Sequence, residues 1–189
     1  MDSQNAVGII ELASIYKGFQ VQDEVLKSAN VEKLIARTIC SGKYLMIVRG
    51  DAANVDIAVN VAREVGGFSV VNATAIPNID PRVLPAISGA TTLQINSTKE
   101  IGAILVIETF SVVSAIKAAD FAIKEAELDI LRVHVAMAVG GKGFVVITGD
   151  IDALEAASRP AVEYAKQEGM LAGYAIIKNP HKEVLKELI

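Results

Sequence analysis

The residue best suited to redox or metal chemistry is Cys40, the single cysteine among 189 residues, in the stretch TICSGKYLMIVRGD from Thr38 to Asp51. One thiol cannot close a disulfide within its own chain, and one ligand cannot by itself hold a metal. The Ser41-Gly42 pair that follows favours a tight, exposed reversal, whereas an isolated cysteine is most often buried and inert. The residues alone leave two readings open: a small packed side chain, or one ligand of a site completed by further copies of the chain.

The other chemically capable residues give weaker signals. Glu11 and Glu108 recur at strand ends, but neither has a nucleophile or second carboxylate at a spacing that would make an acid–base site. His134, in a strand pattern, and His181, near the end of the chain, read as structural histidines. Val139-Gly140-Gly141-Lys142 lacks the spacing of a phosphate loop and falls in a hairpin. Lys27 and Lys124 occupy matched helical positions, where the ordinary reading is a solvated face. With no catalytic constellation, an enzyme is the least favoured class.

Composition narrows the partners. Hydrophobic residues make up 52% of the chain and charged residues 21%, enough for a proper core. A net charge of -4 argues against a nucleic-acid binder, which would show a strong basic face. The opening MDSQNAVGIIELAS has no basic leader, and the apolar runs are too short to span a bilayer. A soluble, cytoplasmic protein with a reduced thiol and no membrane partner is expected.

Two tandem copies of one unit must position these residues. AVGIIELAS at Ala6–Ser14 recurs as AILVIETFS at Ala103–Ser111, an offset of 97 that also pairs Asp23 with Asp120 and Lys27 with Lys124. SGKYLMIVRGD at Ser41–Asp51 recurs as GGKGFVVITGD at Gly140–Asp150, now offset by 99, so two residues enter the second copy between its first helix and this turn. Periodicity predicts strands at 6–12, 33–39, 44–49 and 69–76 with helices at 17–30 and from Asp51 to about Val65. The second copy predicts strands near 103–109, 130–137, 143–148 and 171–177 and helices near 112–127 and 152–168, the last kinked or split near Arg159 by Pro160. The order β-α-β-β-α-β defines an α+β fold of two ferredoxin-like units, residues 1–95 and 96–189, joined through the proline-containing segment from Ile76 to Glu100.

In order and spacing, AVGIIELAS, DEVLKSANV, SGK before a strand, RGD before a helix, NIDPRVLPAIS, ETFS, GGKGFVV and NPH resemble bacterial microcompartment shell domains. The tandem arrangement, covering nearly the whole chain, resembles the unpermuted, trimer-forming shell proteins, notably those of propanediol-utilising compartments. This resemblance implies a homotrimer that mimics a hexamer and packs edge to edge with other shell proteins around enzymes, in a cytoplasmic bacterial compartment. It implies a central pore lined by Ser41, Gly42, Val139, Gly140 and Gly141, and plate-edge roles for Lys27 and Lys124. It further implies one [4Fe-4S] cluster per trimer, held by Cys40 from three subunits, for electron transfer or cluster delivery to redox enzymes inside. Cyclic symmetry turns one cysteine per chain into three ligands, and Val139 in place of a second cysteine keeps the number at three. Lys43 would offset the cluster's charge if its ammonium faced the axis. The alternatives are a shell trimer with a metal-free metabolite pore and a trimeric ferredoxin-like regulator that binds a small effector.

Overall fold

The computed structural model describes residues 5–87, 101–135 and 139–188. The chain forms two compact units: one runs up to Ile79 and includes the turn ending at Gly141, and the other contains Asp80–Val135 and the chain from Lys142 onward.

The first unit consists of β1 (Ala6–Leu12), α1 (Ile15–Ser28), β2 (Glu32–Ile39), β3 (Lys43–Gly50), α2 (Ala52–Gly66) and β4 (Val70–Ile76). The second opens with α3 (Val83–Ile87), then repeats the pattern as β5 (Ala103–Thr109), α4 (Val112–Glu125), β6 (Asp129–Val135), β7 (Gly143–Thr148), α5 (Ile151–Gln167) and β8 (Leu171–Lys178), and ends in α6 (Lys182–Leu188). Each sheet is antiparallel, in the order β2-β3-β1-β4 or β6-β7-β5-β8. The ferredoxin-like α+β order expected for both copies is present. The expected boundary between residues 95 and 96 lies outside the described residues.

Alternation along β1 sets the core of the first unit. Ile10 and Leu12 point to the face covered by helices and pack with Val21 and Val25 of α1 and Ala58, Val59 and Ala62 of α2. Glu11, between them in sequence, lies on the opposite face. Asp51 caps α2: its carboxylate accepts the Asn54 backbone N–H at 2.9 Å, which holds the Asp51 carboxyl below its usual range. Gly67 ends the helix with φ of 51°, a left-handed conformation that suits glycine.

Two local expectations change. Helix α5 is not split at Pro160; it runs unbroken from Ile151 to Gln167. Its buried face of Leu154, Ala157, Ala161, Val162 and Ala165 continues on both sides of the proline, so packing outweighs one missing backbone bond. The connecting segment is also structured at its start. The Arg82 guanidinium donates twice to the Asp80 carboxylate and also to the carbonyls of Leu128 and Ile123, while Asp80 N–H donates to Asp120 at 2.8 Å. These bonds build residues 80–87 into the second unit.

The sheet registers locate the two extra residues of the second copy. Thr38 pairs with Tyr44, and the equivalent pair is Val135 with Gly143. The offset is therefore still 97 at the end of β6 and already 99 at the start of β7. The whole insertion lies in the connection of that hairpin. Packing beneath the hairpin is exchanged as well. In the first unit Gly18 of α1 leaves room for the Tyr44 ring, which a Cβ would meet at 2.3 Å. In the second, the helix carries Ala115 and the strand carries Gly143, where a Cβ would meet the Ala115 Cβ at 2.8 Å. The bulk has moved from strand to helix.

Candidate functional site

The β2–β3 hairpin closes through Cys40, Ser41 and Gly42, after Ile39 pairs with Lys43. Ser41 and Gly42 have φ of 65° and 70°, and both are exposed. Consecutive left-handed residues give the tight reversal; at Gly42 it costs little, and a serine tolerates it less readily. Cys40 itself is half-buried. The expected exposed turn is present, but its exposure belongs to Ser41 and Gly42, and the thiol is partly sheltered behind them.

The matching turn of the second copy, Val139–Gly141, has φ of 64° at Gly140 and 83° at Gly141. Val139 is half-buried, Gly140 exposed and Gly141 buried. Gly141 reaches the cysteine turn: a Cβ there would meet the Cys40 carbonyl oxygen and the Ser41 Oγ, each at 3.3 Å. The first unit thus brings Cys40, Ser41 and Gly141 together. Lys27 and Lys124 sit elsewhere, in the last turns of α1 and α4.

Lys43 opens β3, and its ammonium is engaged. It donates to Glu11 Oε1 at 2.8 Å and to the Gly141 carbonyl at 3.4 Å. Glu11 is fully buried, with its side chain 0% exposed against 17% for Lys43. The charge of Lys43 is therefore balanced locally. The second copy repeats the pair: Lys142 donates to Glu108 at 3.2 Å, with exposures of 39% and 44%, and lies 5.6 Å from the centre of the Phe110 ring. The recurring glutamates thus have recurring lysine partners. Sequence reasoning noted all four residues but not the pairing, although both pairs follow from placing them on one sheet face.

Lys27 bonds Asp23 at 2.5 Å, and this acceptor raises the lysine's affinity for its proton. Lys124 bonds Asp120 at 2.6 Å, but here the carboxylate is buried and also receives the Asp80 N–H. His134 stacks on Phe144 at 4.8 Å with its Nδ1 3.2 Å from Arg132, and His181 Nδ1 accepts the Glu183 N–H at the start of α6. Among the described residues of one chain, no group of three or more His, Cys, Asp or Glu side chains is placed to hold a metal ion. Nor, among them, is any helix long and apolar enough to cross a membrane.

Comparison with known proteins places both repeats. The BMC domain profile matches residues 6–79 and 103–180. A bacterial microcompartment shell protein of Citrobacter freundii, PduT, is 39% identical over 184 residues, covering 97% of each chain. PduA of the same organism, also a bacterial microcompartment shell protein, is 33% identical over 87 residues, 43% of this chain and 94% of its own length. A microcompartment protein of Desulfitobacterium hafniense has a crystal structure that superposes with a TM-score of 0.82 at 37% identity, covering 96% of this chain and 98% of its own.

Proposed function

The chain belongs to the BMC-domain shell proteins of bacterial microcompartments, and from that premise we propose that three copies close a ring whose axis carries a [4Fe-4S] cluster on Cys40. The observation that supports this reading is the asymmetry of the repeated turn. It occurs twice per chain with matched left-handed glycines but carries sulfur once, half-buried beside an exposed Ser41-Gly42 tip.

The donor set fits a shared group. One thiolate per chain cannot hold a cluster, whereas three around an axis supply all but one of the usual four ligands. When bound, such a cluster supplies one-electron redox chemistry, and its open iron favours exchange. The chain's own part is to present Cys40 from the β2–β3 hairpin, whose backbone amide groups would be the donors to sulfur. Val139, Gly140 and Gly141 complete the lining, together with Ser41 and Gly42. Lys27 and Lys124 would face neighbouring plates, so that trimers join other shell proteins edge to edge, with redox enzymes enclosed.

Anaerobic purification with iron and sulfide analysis tests the centre. The expected result is about four irons per three chains, lost in Cys40→Ser. Iron-free trimers after anaerobic reconstitution would overturn it and leave a metabolite pore. Edge packing has its own test: Lys27→Ala with Lys124→Ala should abolish extended sheets in electron micrographs while trimers persist. Sheets that survive the double substitution would remove the edge assignment.

A further inference from the structure

The buried ion pair beneath the cysteine turn has a consequence for the thiol. We infer that Lys43 is the positioning residue of Cys40, acting as a clamp that ties the cysteine turn to the body of the sheet and to the Val139–Gly141 turn at once. Its role for a cluster rests on the reading of Cys40 given above.

Three observations support it. Lys43 is the strand residue that receives the turn, pairing with Ile39 directly before Cys40, so any shift of Lys43 moves the thiol's backbone. Its ammonium is held from two sides, by the fully buried carboxylate of Glu11 at 2.8 Å and by the Gly141 carbonyl at 3.4 Å. Gly141 in turn lies against Cys40 and Ser41, where a Cβ would have 3.3 Å of room and a φ of 83° to tolerate. A buried carboxylate needs its cation, so the ammonium cannot leave without a large cost. Meanwhile Ser41 and Gly42 are exposed, and an added Cβ at Gly42 would meet nothing within 4 Å. With an open tip, the clamp adds a side-chain tie to the ladder pairing at the base of the turn.

The second copy supplies the internal control. Lys142 and Glu108 form the same pair at 3.2 Å, but both are only half-buried, and the residue at the position of Cys40 is Val139. The pair is shared, whereas the burial and the sulfur occur together in the first unit.

The test measures the rate at which iodoacetamide alkylates Cys40 in the folded, iron-free, full-length protein. Lys43→Met should alkylate several-fold faster than the wild type, Lys43→Arg should return close to the wild-type rate, and Lys142→Met should leave it unchanged. If Lys43→Met does not fold, Glu11→Leu with Lys43→Met replaces the buried pair by apolar side chains, an exchange that buried ion pairs often tolerate. This double variant should also alkylate faster. A wild-type rate in whichever of the two folds, or an equal acceleration in Lys142→Met, would overturn the clamp. Iron content is measured separately. If the wild type holds no iron, the cluster reading fails while the alkylation rates still decide the clamp.

Discussion

The same ion pair occurs at the base of both hairpins, sealed in one unit and wet in the other. Glu11 is fully buried and Lys43 mostly so, while Glu108 and Lys142 are each exposed by about two-fifths. Duplicated chemistry therefore carries unequal weight. Removing one partner of a buried pair strands a charge away from water, whereas an exposed pair is screened and easily replaced by solvent. The Asp–Lys pairs on α1 and α4 differ in the opposite sense. Asp23 and Lys27 are exposed, while Asp120 is buried and also fixes Asp80. The first unit has its critical charge under the cysteine turn, and the second has its own where the connecting segment joins α4.

The largest expected effect follows from the first contrast. Lys43→Met should lower unfolding stability by about 3 kcal/mol, the scale for a broken buried pair, in chemical denaturation. Lys142→Met should cost less than about 1 kcal/mol, the range of exposed pairs. Equal losses would erase the distinction between the sheets. The next contrast is on the helices. Asp120→Ala leaves the Asp80 amide without its acceptor and should cost about 2 kcal/mol, against no more than about 0.5 kcal/mol for Asp23→Ala. A silent Asp120→Ala would mean that residues 80–87 contribute little to the second unit.

The smallest effect concerns a tyrosine. Burial, with a lesser contribution from Glu168, pushes the Tyr164 phenol up to about 12, and the Lys117 ammonium lies 4.5 Å from the centre of its ring. The first unit has Val65 at the equivalent place, offset by 99. Because the folded value lies above the unfolded one of about 10, the phenol's contribution to stability is intact below that pH and is lost as pH rises through 12. Burial also raises the Tyr44 phenol, so ultraviolet difference spectra should show late-ionising phenolates of which one is absent in Tyr164→Phe. An unchanged titration curve in that variant would remove this difference between the units.

Local signals made much of the fold readable in advance. The hairpins are marked by Ser-Gly and Gly-Gly between apolar runs, and α2 by a capping aspartate, because each of these depends on neighbours within a few residues. The split allowed for at Pro160 misled for the same reason: the proline's local cost is real, but the face of α5 that keeps the helix continuous is defined by tertiary packing. Arg82 could not be read, since it closes on the carbonyls of Leu128 and Ile123, more than forty residues away. At the candidate site the turn and its sulfur were legible. The partner of Lys43 was not, because Glu11 reaches it only once β1 and β3 are in register and a shared face is defined.

The two-residue insertion in the second hairpin leaves the pairs on either side of it in place, Val135 with Gly143 just as Thr38 with Tyr44. The sheet does not register the length of that connection. For an engineer, this makes the β6–β7 connection a cassette. New donor atoms, a tag or a longer reach could be written into it ahead of Gly141 while the strands that carry it keep their alignment, so long as Gly141 keeps its place against the cysteine turn.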